Sequence, residues 1–354
     1  MRALGLVAGA ALTAGAAHGQ ADVLDRHLRT RPTGPFSGVV LIARSDTVLF
    51  ERAYGHADAD LGVAMAPEHR LGIGSLTKPI TATAILRLVE RGTLRLDTPV
   101  SERIAGVPPA WHAVSVEQLL SHRSGIPDLF GELPAAPAES LGAVVDAALA
   151  RHLADSIRFP PGTRYAYSNF NYVLLGYLLE AVGEAGWDEV LAREVLRPAG
   201  MTRTEYDDVW RILPGRARGY RRQGAELRNV AYHDHAAYTA GGLLSTARDL
   251  LRFDRALTAG RLIGASLLAR MTTPGLGDYG LGWQIIRVFG QHNRNHTGGV
   301  TGFASHLAHY DDGTVVIVLS NVEDEPVKAL ACDLAALVLD LAPSARAPAC
   351  RPER

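Results

Sequence analysis

Lysine is almost absent from this chain, which has 36 lysine and arginine residues but only two lysines, Lys78 and Lys328. Arginine therefore supplies nearly every positive charge, and a retained lysine calls for a chemical explanation. Arginine stays protonated at any working pH, whereas a lysine shielded from water can lose its proton and act as a base. The formal net charge of −1 gives no electrostatic basis for binding a nucleic acid or an anionic membrane.

Cysteines and long apolar runs are scarce as well. The two cysteines, Cys332 and Cys350, are too few for a disulfide scaffold, and without a clustered histidine pair they do not indicate a zinc site. A disulfide between them is compatible with an oxidising compartment, but the sequence leaves this pairing open. Beyond the first 20 residues no apolar run is long enough to cross a bilayer.

The first 19 residues have a different character from the rest of the chain. Arg2 provides a positive start, residues 3–17 are small and apolar, and Ala17-His18-Gly19 offers a cleavage site between small residues. This pattern is typical of a secretory signal peptide. We therefore predict a signal peptide over residues 1–19 and an exported protein, either periplasmic or secreted.

Strand patterns occur near both ends of the chain, and helical patterns lie between them. Runs rich in β-forming residues predict strands at 38–43, 47–54, 282–288, 295–298, 304–310 and 314–319. Apolar residues at helical spacing predict a short opening helix around Leu24 and Leu28, then helices from residue 75 onward and at 115–121, 141–153, 172–183, 187–196, 246–259 and 326–341.

This arrangement predicts an α+β fold in which one antiparallel sheet, flanked by helices, is built from both ends of the chain around a large inserted helical region. We expect the sheet region to comprise residues 20–74 and 276–342. The mainly helical region is predicted at 75–275, and a C-terminal tail at 343–354.

The segment Ser75-Leu76-Thr77-Lys78 coincides with a predicted helix start. Residues three apart on a helix share a face, so the Lys78 amine can lie beside the Ser75 hydroxyl. A serine hydroxyl becomes a good nucleophile when a nearby base takes its proton, and a desolvated lysine can be that base. The spacing therefore indicates a nucleophile and its base.

A second group of chemical residues lies at 165–172, where four aromatic residues are interleaved with asparagines. A phenol beside a lysine can carry protons to or from a leaving group, and an asparagine can donate to a carbonyl while accepting from an amine. We assign chemistry to Tyr167 and Asn169. Packing against the helical region is the expected role of Tyr165, Phe170 and Tyr172.

The third element is His296-Thr297-Gly298-Gly299, in a predicted strand. Glycines at a strand edge let a substrate backbone approach closely and pair as an added strand. The Gly299 N–H is a candidate donor to an oxyanion. A buried structural histidine followed by a bulge is the alternative interpretation of this element taken alone.

Together the three elements resemble the serine β-lactamase and D,D-peptidase superfamily. Ser75-x-x-Lys78, Tyr167-Ser168-Asn169 and His296-Thr297-Gly298 occur in the order of its Ser-x-x-Lys, Tyr-x-Asn and Lys/His-Thr-Gly elements. Segments 119–127, 161–163 and 241–250 are similar to its class C branch, and the likeness extends over residues 36–340.

The resemblance implies that Ser75 is an acylated nucleophile, Lys78 its base or proton relay, and Tyr167 the phenol that activates or protonates. It also implies that Asn169 and the strand residues His296, Thr297, Gly298 and Gly299 bind substrate. Where β-lactamases of this branch usually carry lysine, this chain has His296, which is similar to the D,D-carboxypeptidase and D-aminopeptidase members. That difference disfavours efficient antibiotic hydrolysis.

The expected activity is acyl transfer from a small-molecule or peptide substrate, on amide bonds of D-Ala peptides or β-lactams. Hydrolysis of small carboxylic esters and noncatalytic capture of a β-lactam or muropeptide are the alternatives. We expect no cofactor and no metal: His306 and His309 should point to opposite faces of a strand, and His233-Asp234-His235 is predicted to be a polar turn. The oligomeric state is left open.

Overall fold

A computed structural model describes residues 8–31, 33–133, 141–151, 157–224, 226–230 and 237–341. Two features considered above, the His233-Asp234-His235 segment and Cys350, lie outside these ranges. Within them, Cys332 is engaged in a disulfide rather than free. No helix of the described ranges is long and apolar enough to cross a membrane.

The described residues form thirteen strands, most of them short. In chain order they are β1 (Gly38–Arg44), β2 (Thr47–Tyr54), β3 (His56–Asp58), β4 (Val63–Ala64), β5 (Leu71–Gly72), β6 (Glu205–Tyr206), β7 (Tyr220–Gln223), β8 (Glu226–Asn229), β9 (Leu243–Ser245), β10 (Gln284–Val288), β11 (Gln291–Val300), β12 (Phe303–Tyr310) and β13 (Thr314–Ser320).

Eleven α-helices are found in the same ranges. They are α1 (Ala8–Arg29), α2 (Thr77–Glu90), α3 (Val116–Leu120), α4 (Leu141–Arg151), α5 (Asn169–Gly183), α6 (Trp187–Leu191), α7 (Arg197–Ala199), α8 (Tyr238–Gly241), α9 (Ala247–Thr258), α10 (Ala265–Met271) and α11 (Val327–Val338). Short 3-10 turns lie at Gly74–Leu76, Val100–Glu102, Pro109–Trp111, Phe130–Glu132 and Leu276–Asp278, and a π-helical turn at Ala192–Leu196.

The main sheet is antiparallel and has six strands in the order β10-β11-β12-β13-β1-β2. Strands from the two ends of the chain meet where β1 pairs with β13, with Gly38 opposite Ser320. This confirms the predicted fold class, an antiparallel sheet built from both termini. The proposed division into a sheet region and a helical region remains a prediction.

Both faces of the central strands are covered, which explains their nearly continuous apolar sequence. Alternate side chains of a strand point to opposite faces, and Val39 and Leu41 of β1 join the large core shared with the helical region. Val40 and Ile42 instead join a second core with residues of α1 and α11. The sheet therefore lies between two helical layers, and on its inner side α9 packs against β13 and β1.

Two of the element boundaries that differ from the prediction have a clear physical reason. Helix α5 begins at Asn169 rather than at 172, because Ser168 caps it and the Asp128 carboxylate accepts the amide hydrogens of Asn169 and Phe170. Strand β11 spans ten residues instead of the predicted four, because pairing with β10 begins it at Gln291 and pairing with β12 continues it to Val300.

Candidate active site

Ser75 lies in the 3-10 turn that leads directly into α2, as the helical pattern predicted. The Ser75 side chain does not cap the helix. Its Oγ instead lies 2.9 Å from the Nζ of Lys78, one turn further on. The predicted pairing of hydroxyl and amine is therefore present in the structure.

Lys78 is fully buried, which is unusual for a lysine. Burial lowers the pKa of its amine from 10.5 to about 7, and the Asp128 carboxylate partly opposes this change. A large fraction of the Lys78 amine is therefore neutral near neutral pH. This charge state explains why an arginine, which stays protonated, could not replace Lys78.

The hydrogen-bond partners of Lys78 determine the direction in which the lone pair of its neutral amine points. Nζ donates to the Asn169 Oδ1 at 2.7 Å and to the Ala240 carbonyl oxygen at 2.7 Å. A neutral amine has two N–H donors and one lone pair, and these two acceptors occupy both donors. The lone pair is then left to face the Ser75 hydroxyl, which is the orientation that a general base requires.

Tyr167 lies two residues before α5, and its phenol is near enough to interact with the Ser75 side chain. Its ring centroid is 4.9 Å from Lys78 Nζ. Desolvation raises the pKa of the Tyr167 phenol above its ordinary value of 10, so the hydroxyl keeps its proton at neutral pH. This environment favours a proton donor over a phenolate base. The side chain is nevertheless 40% exposed, so a substrate can reach it.

Asn169 is the first residue of α5, and this position brings its side chain to Lys78. Since Oδ1 accepts from the lysine, the Nδ2 group remains a donor for a ligand carbonyl. Phe170 and Tyr172, the neighbouring residues assigned to packing, are fully buried. Tyr165, also assigned to packing, in fact lines a cleft together with Tyr167 and His296.

Strand β11 crosses the start of α2 at very close range, which only glycine permits. A Cβ at Gly298 would lie 2.0 Å from the Ile73 carbonyl oxygen, and one at Gly74 would lie 2.6 Å from the Gly299 nitrogen. The Gly299 amide is thus held beside the serine turn. The amides of the first turn of a helix have no partner within the helix, so Ser75 and Gly299 can present two N–H groups to one oxygen atom.

His296 lies on β11 with both ring nitrogens occupied. Nδ1 is 2.8 Å from the Thr297 carbonyl oxygen and must donate to it, so Nε2 accepts from the Tyr279 hydroxyl at 2.9 Å. Burial and the nearby Lys78 lower the pKa of His296 to about 3. The ring is neutral at neutral pH and therefore offers no positive charge to a substrate carboxylate.

The edge of β11 that follows its pairing with β10 is open. β10 pairs with β11 only as far as Asn295, whereas β12 pairs with it up to Val300. The outer edge of residues 296–300 therefore has no neighbouring strand in the described part of the chain. The cleft at this edge has a volume of about 200 Å³ and is lined by Tyr165, Tyr167, Tyr279, Gln284, His296 and Thr297.

Two further residues of the site, His122 and Tyr279, were not predicted from the sequence. The His122 ring contacts the rings of Tyr165, Tyr167, Tyr172 and Tyr279, and Tyr279 hydrogen-bonds with His296. His122 does belong to segment 119–127, which resembles the class C branch, but that likeness assigns it no role. Tyr279 had no signal in the sequence.

The described residues contain no cluster of three or more potential metal-ligating side chains. Thr297, one of the predicted binding residues, lies with its hydroxyl 2.8 Å from the Nδ1 of His306. His309, three residues along β12, contacts Asp254 instead. His306 and His309 thus point to opposite faces of the strand, as predicted, and do not share a site.

Comparison with known proteins identifies the family. The Beta-lactamase family model matches residues 24–340. This chain belongs to the Beta-lactamase family. A similar curated protein is the putative penicillin-binding protein PbpX of Bacillus subtilis, which is 29% identical over 293 residues, covering 82% of this chain and 71% of the relative.

Solved structures of similar fold include a penicillin-binding protein from Bacillus halodurans. It superposes with a TM-score of 0.75 at 26% identity, covering 92% of this chain and 98% of that protein. The D-amino acid amidase of Ochrobactrum anthropi SV3, complexed with D-phenylalanine, gives a TM-score of 0.72 at 25% identity, with 92% and 98% coverage. The family and these relatives establish the chain as a serine hydrolase of the β-lactamase and penicillin-binding type.

Proposed function

We propose that this serine hydrolase cleaves amide bonds of D-Ala peptides or β-lactams through an acyl-enzyme on Ser75. The observation that carries the proposal is the convergence of the Ser75 hydroxyl, the Lys78 amine and the Tyr167 hydroxyl at the open edge of β11. The names of the similar proteins, penicillin-binding proteins and a D-amino acid amidase, support an amide substrate.

Lys78 is the proposed general base for acylation. Its neutral amine takes the Ser75 proton as Oγ attacks the carbonyl carbon, while Asn169 and Ala240 hold the two N–H groups in place. The resulting ammonium then has three donors for three acceptors: Ser75 Oγ, Asn169 Oδ1 and the Ala240 oxygen. The hydrogen-bond geometry needs no rearrangement between the two protonation states.

Tyr167 is the proposed general acid for departure of the leaving group. The phenol keeps its proton at neutral pH and contacts Ser75, so it can protonate the amide nitrogen as the C–N bond breaks. The Lys78 ammonium then gives its proton to the phenolate, which restores the neutral amine and the phenol. In hydrolysis of the ester, water adds to the carbonyl carbon, one of its protons goes to Ser75 Oγ as the C–O bond breaks, and the other stays on the released acid.

The Ser75 and Gly299 amides are the proposed oxyanion donors. They face the same point because β11 lies directly against the serine turn. The open edge of residues 296–300 can pair with an extended substrate, and Asn169 Nδ2 can donate to the amide carbonyl of the substrate. These contacts would orient the scissile carbonyl toward Ser75 Oγ.

Ester hydrolysis is a second candidate, and the charge state of His296 favours it. D-Ala peptides and β-lactams carry a carboxylate near the scissile bond. The neutral His296 ring, with its Nε2 engaged by Tyr279, offers that carboxylate no positive charge. An uncharged carboxylic ester needs no such partner, so the substrate panel must contain both classes.

Export is a further part of the proposal and rests on the sequence pattern of residues 1–19. If the signal peptide is processed after Gly19, the mature protein begins at Gln20. Expression with the natural N-terminus in a bacterial host, followed by fractionation and N-terminal sequencing, tests this point. Recovery of the uncleaved protein from the cytoplasm alone would contradict it.

The catalytic proposal is tested with a fluorescent penicillin, a chromogenic cephalosporin, a D-Ala-D-Ala peptide, a D-amino acid amide and p-nitrophenyl acetate. We expect intact-mass spectrometry to detect a covalent adduct with the wild type, and peptide mapping to place it on Ser75. Ser75→Ala should lose both the adduct and turnover. Ser101→Ala is the matched control, since the Ser101 hydroxyl donates to the carbonyl oxygen of His112.

The pattern of turnover separates the two candidates. Turnover of the peptide, the amide or the cephalosporin supports amide hydrolysis, whereas turnover of the ester alone supports the second candidate. Full activity of Ser75→Ala would refute the assigned nucleophile in either case.

A further inference from the structure

We infer that His122 is a positioning residue that holds the Tyr167 phenol against Ser75. The inference rests on the proposed role of Tyr167. It begins with the backbone, where His122 binds the chain on both sides of the tyrosine. Its carbonyl oxygen accepts from the Ala166 N–H at 2.9 Å, and its Nδ1 accepts from the Ser168 N–H at 3.1 Å.

The His122 ring also supports the Tyr167 ring directly. The two centroids are 4.2 Å apart and the planes are tilted by 34°. His122 is fully buried whereas Tyr167 is 40% exposed. The buried imidazole therefore packs against the inner side of a tyrosine that is open to the cleft. A ring packed at this distance restricts rotation of the phenol away from Ser75.

The hydrogen-bonding pattern of His122 explains why this position is histidine. Because Nδ1 accepts from Ser168, the ring proton is on Nε2, which is buried and has no hydrogen-bond partner among the described residues. An unpaired buried donor is unfavourable because nothing replaces its hydrogen bond to water. Phenylalanine would avoid the unpaired N–H but could not accept a hydrogen bond from the Ser168 N–H. The hydrogen bond accepted by Nδ1 therefore stabilises the site by more than the unpaired Nε2–H destabilises it.

The backbone conformation of His122 supports the same conclusion. His122 follows the end of α3 with a φ of 54°, a left-handed conformation that glycine usually adopts after a helix. A side chain tolerates it at some cost in strain. The turn directs both the carbonyl oxygen and the imidazole of His122 toward residues 166–168, so the strained geometry produces both contacts around Tyr167.

Two variants separate the contribution of the His122 ring from the contribution of its Nδ1 acceptor. His122→Asn keeps an acceptor near the Nδ1 position and tolerates positive φ, but it removes the ring. His122→Phe keeps the ring and removes the acceptor. For each variant we expect kcat for an amide substrate to fall by about 10-fold to 100-fold, because the general acid is misplaced, while KM changes little.

The leaving group distinguishes positioning from a merely structural role. A p-nitrophenolate leaves without a proton, so kcat for p-nitrophenyl acetate should fall by no more than about 3-fold in the same variants. General loss of folded enzyme would lower both activities equally. His309→Asn, which removes a histidine contact with Asp254 outside the cleft, is the matched control and should leave the amide-to-ester ratio unchanged.

A double-mutant cycle with Tyr167→Phe completes the test. If His122 acts through the Tyr167 hydroxyl, His122→Asn should change amide turnover by less than about 2-fold in the Tyr167→Phe background. An equal loss in both backgrounds, or wild-type amide kcat in both His122 variants, would overturn the inference. If His122→Asn does not fold, the cycle is run with His122→Phe.

Failure of the inference and failure of the proposed function give different results. A wild type that turns over no acyl substrate refutes the function. A wild type whose activity requires Ser75 but is insensitive to His122 refutes only the positioning role.

Discussion

Replacement of Lys78 by methionine should change the pH dependence of stability by an amount that follows from burial. In the folded protein the pKa of the Lys78 amine is about 7, against 10.5 for an exposed lysine. Between these values the unfolded chain binds one proton more than the folded chain, so the free energy of unfolding rises with pH by up to about 1.4 kcal/mol per unit. Below about pH 7 both states are protonated and this contribution to the slope disappears.

The expected magnitude can be worked out for a convenient window. Between about pH 7.5 and about pH 9.5, titration of Lys78 should stabilise the wild type by roughly 2–3 kcal/mol. Lys78→Met should lack this gain. The variant also loses hydrogen bonds to Asn169 and Ala240, but those losses do not depend on pH in this window and cancel in the difference between slopes.

The assay is urea denaturation of both proteins at several pH values in the window, with the transition followed by circular dichroism. Lys328→Met removes the other lysine of the chain from a partly exposed position and controls for loss of a lysine as such. In parallel, kcat/KM of the wild type should rise as the pH approaches about 7 and then level off. Parallel stability profiles for wild type and Lys78→Met would refute the neutral-amine reasoning.

Three further predictions concern the surroundings of the site. Asp128→Asn removes a charge that raises the pKa of Lys78, so the acidic limb of the kcat/KM profile should move to lower pH; a shift to higher pH would contradict the assigned electrostatics. Gly298→Ala would place a Cβ 2.0 Å from a backbone oxygen, so acylation by a fluorescent penicillin should fall at least about 10-fold, whereas unchanged labelling would show that β11 can move. Asp254→Asn leaves Arg294 without its buried partner, and denaturation should show a loss of about 3–5 kcal/mol; a loss below about 1 kcal/mol would mean that water reaches the pair.

The sequence predicted the fold class and the proximity of Ser75 and Lys78 because both depend on local patterns. Apolar runs marked β1 and β13, and the three-residue spacing placed Lys78 beside Ser75 on one helix. Segment order and the family resemblance then brought Tyr167 and Asn169 to the same place. None of these steps required knowledge of how distant side chains pack.

What the sequence could not predict depends on contacts between distant segments. The start of α5 is set by Asp128, some forty residues earlier in the chain, so local helix signals placed it three residues too late. No sequence motif surrounds Tyr279. Its contribution to the site is the hydrogen bond between its hydroxyl and Nε2 of His296, which only the folded structure shows. The neutral charge state of His296 depends on its burial, and burial cannot be predicted from a short motif.

The protonation states of the cleft form one consistent set, and this consistency is the strongest physical argument for the mechanism. Burial makes a large fraction of the Lys78 amine neutral near neutral pH and keeps His296 uncharged, and desolvation of the phenol keeps Tyr167 protonated. If Lys78 were protonated and Tyr167 ionised, the same side chains would be present, but the lysine would be the acid and the tyrosine the base. Since a low-polarity environment disfavours every charged form at once, a single property, exclusion of water around Lys78, selects the arrangement in which Ser75 can lose a proton and a leaving group can gain one.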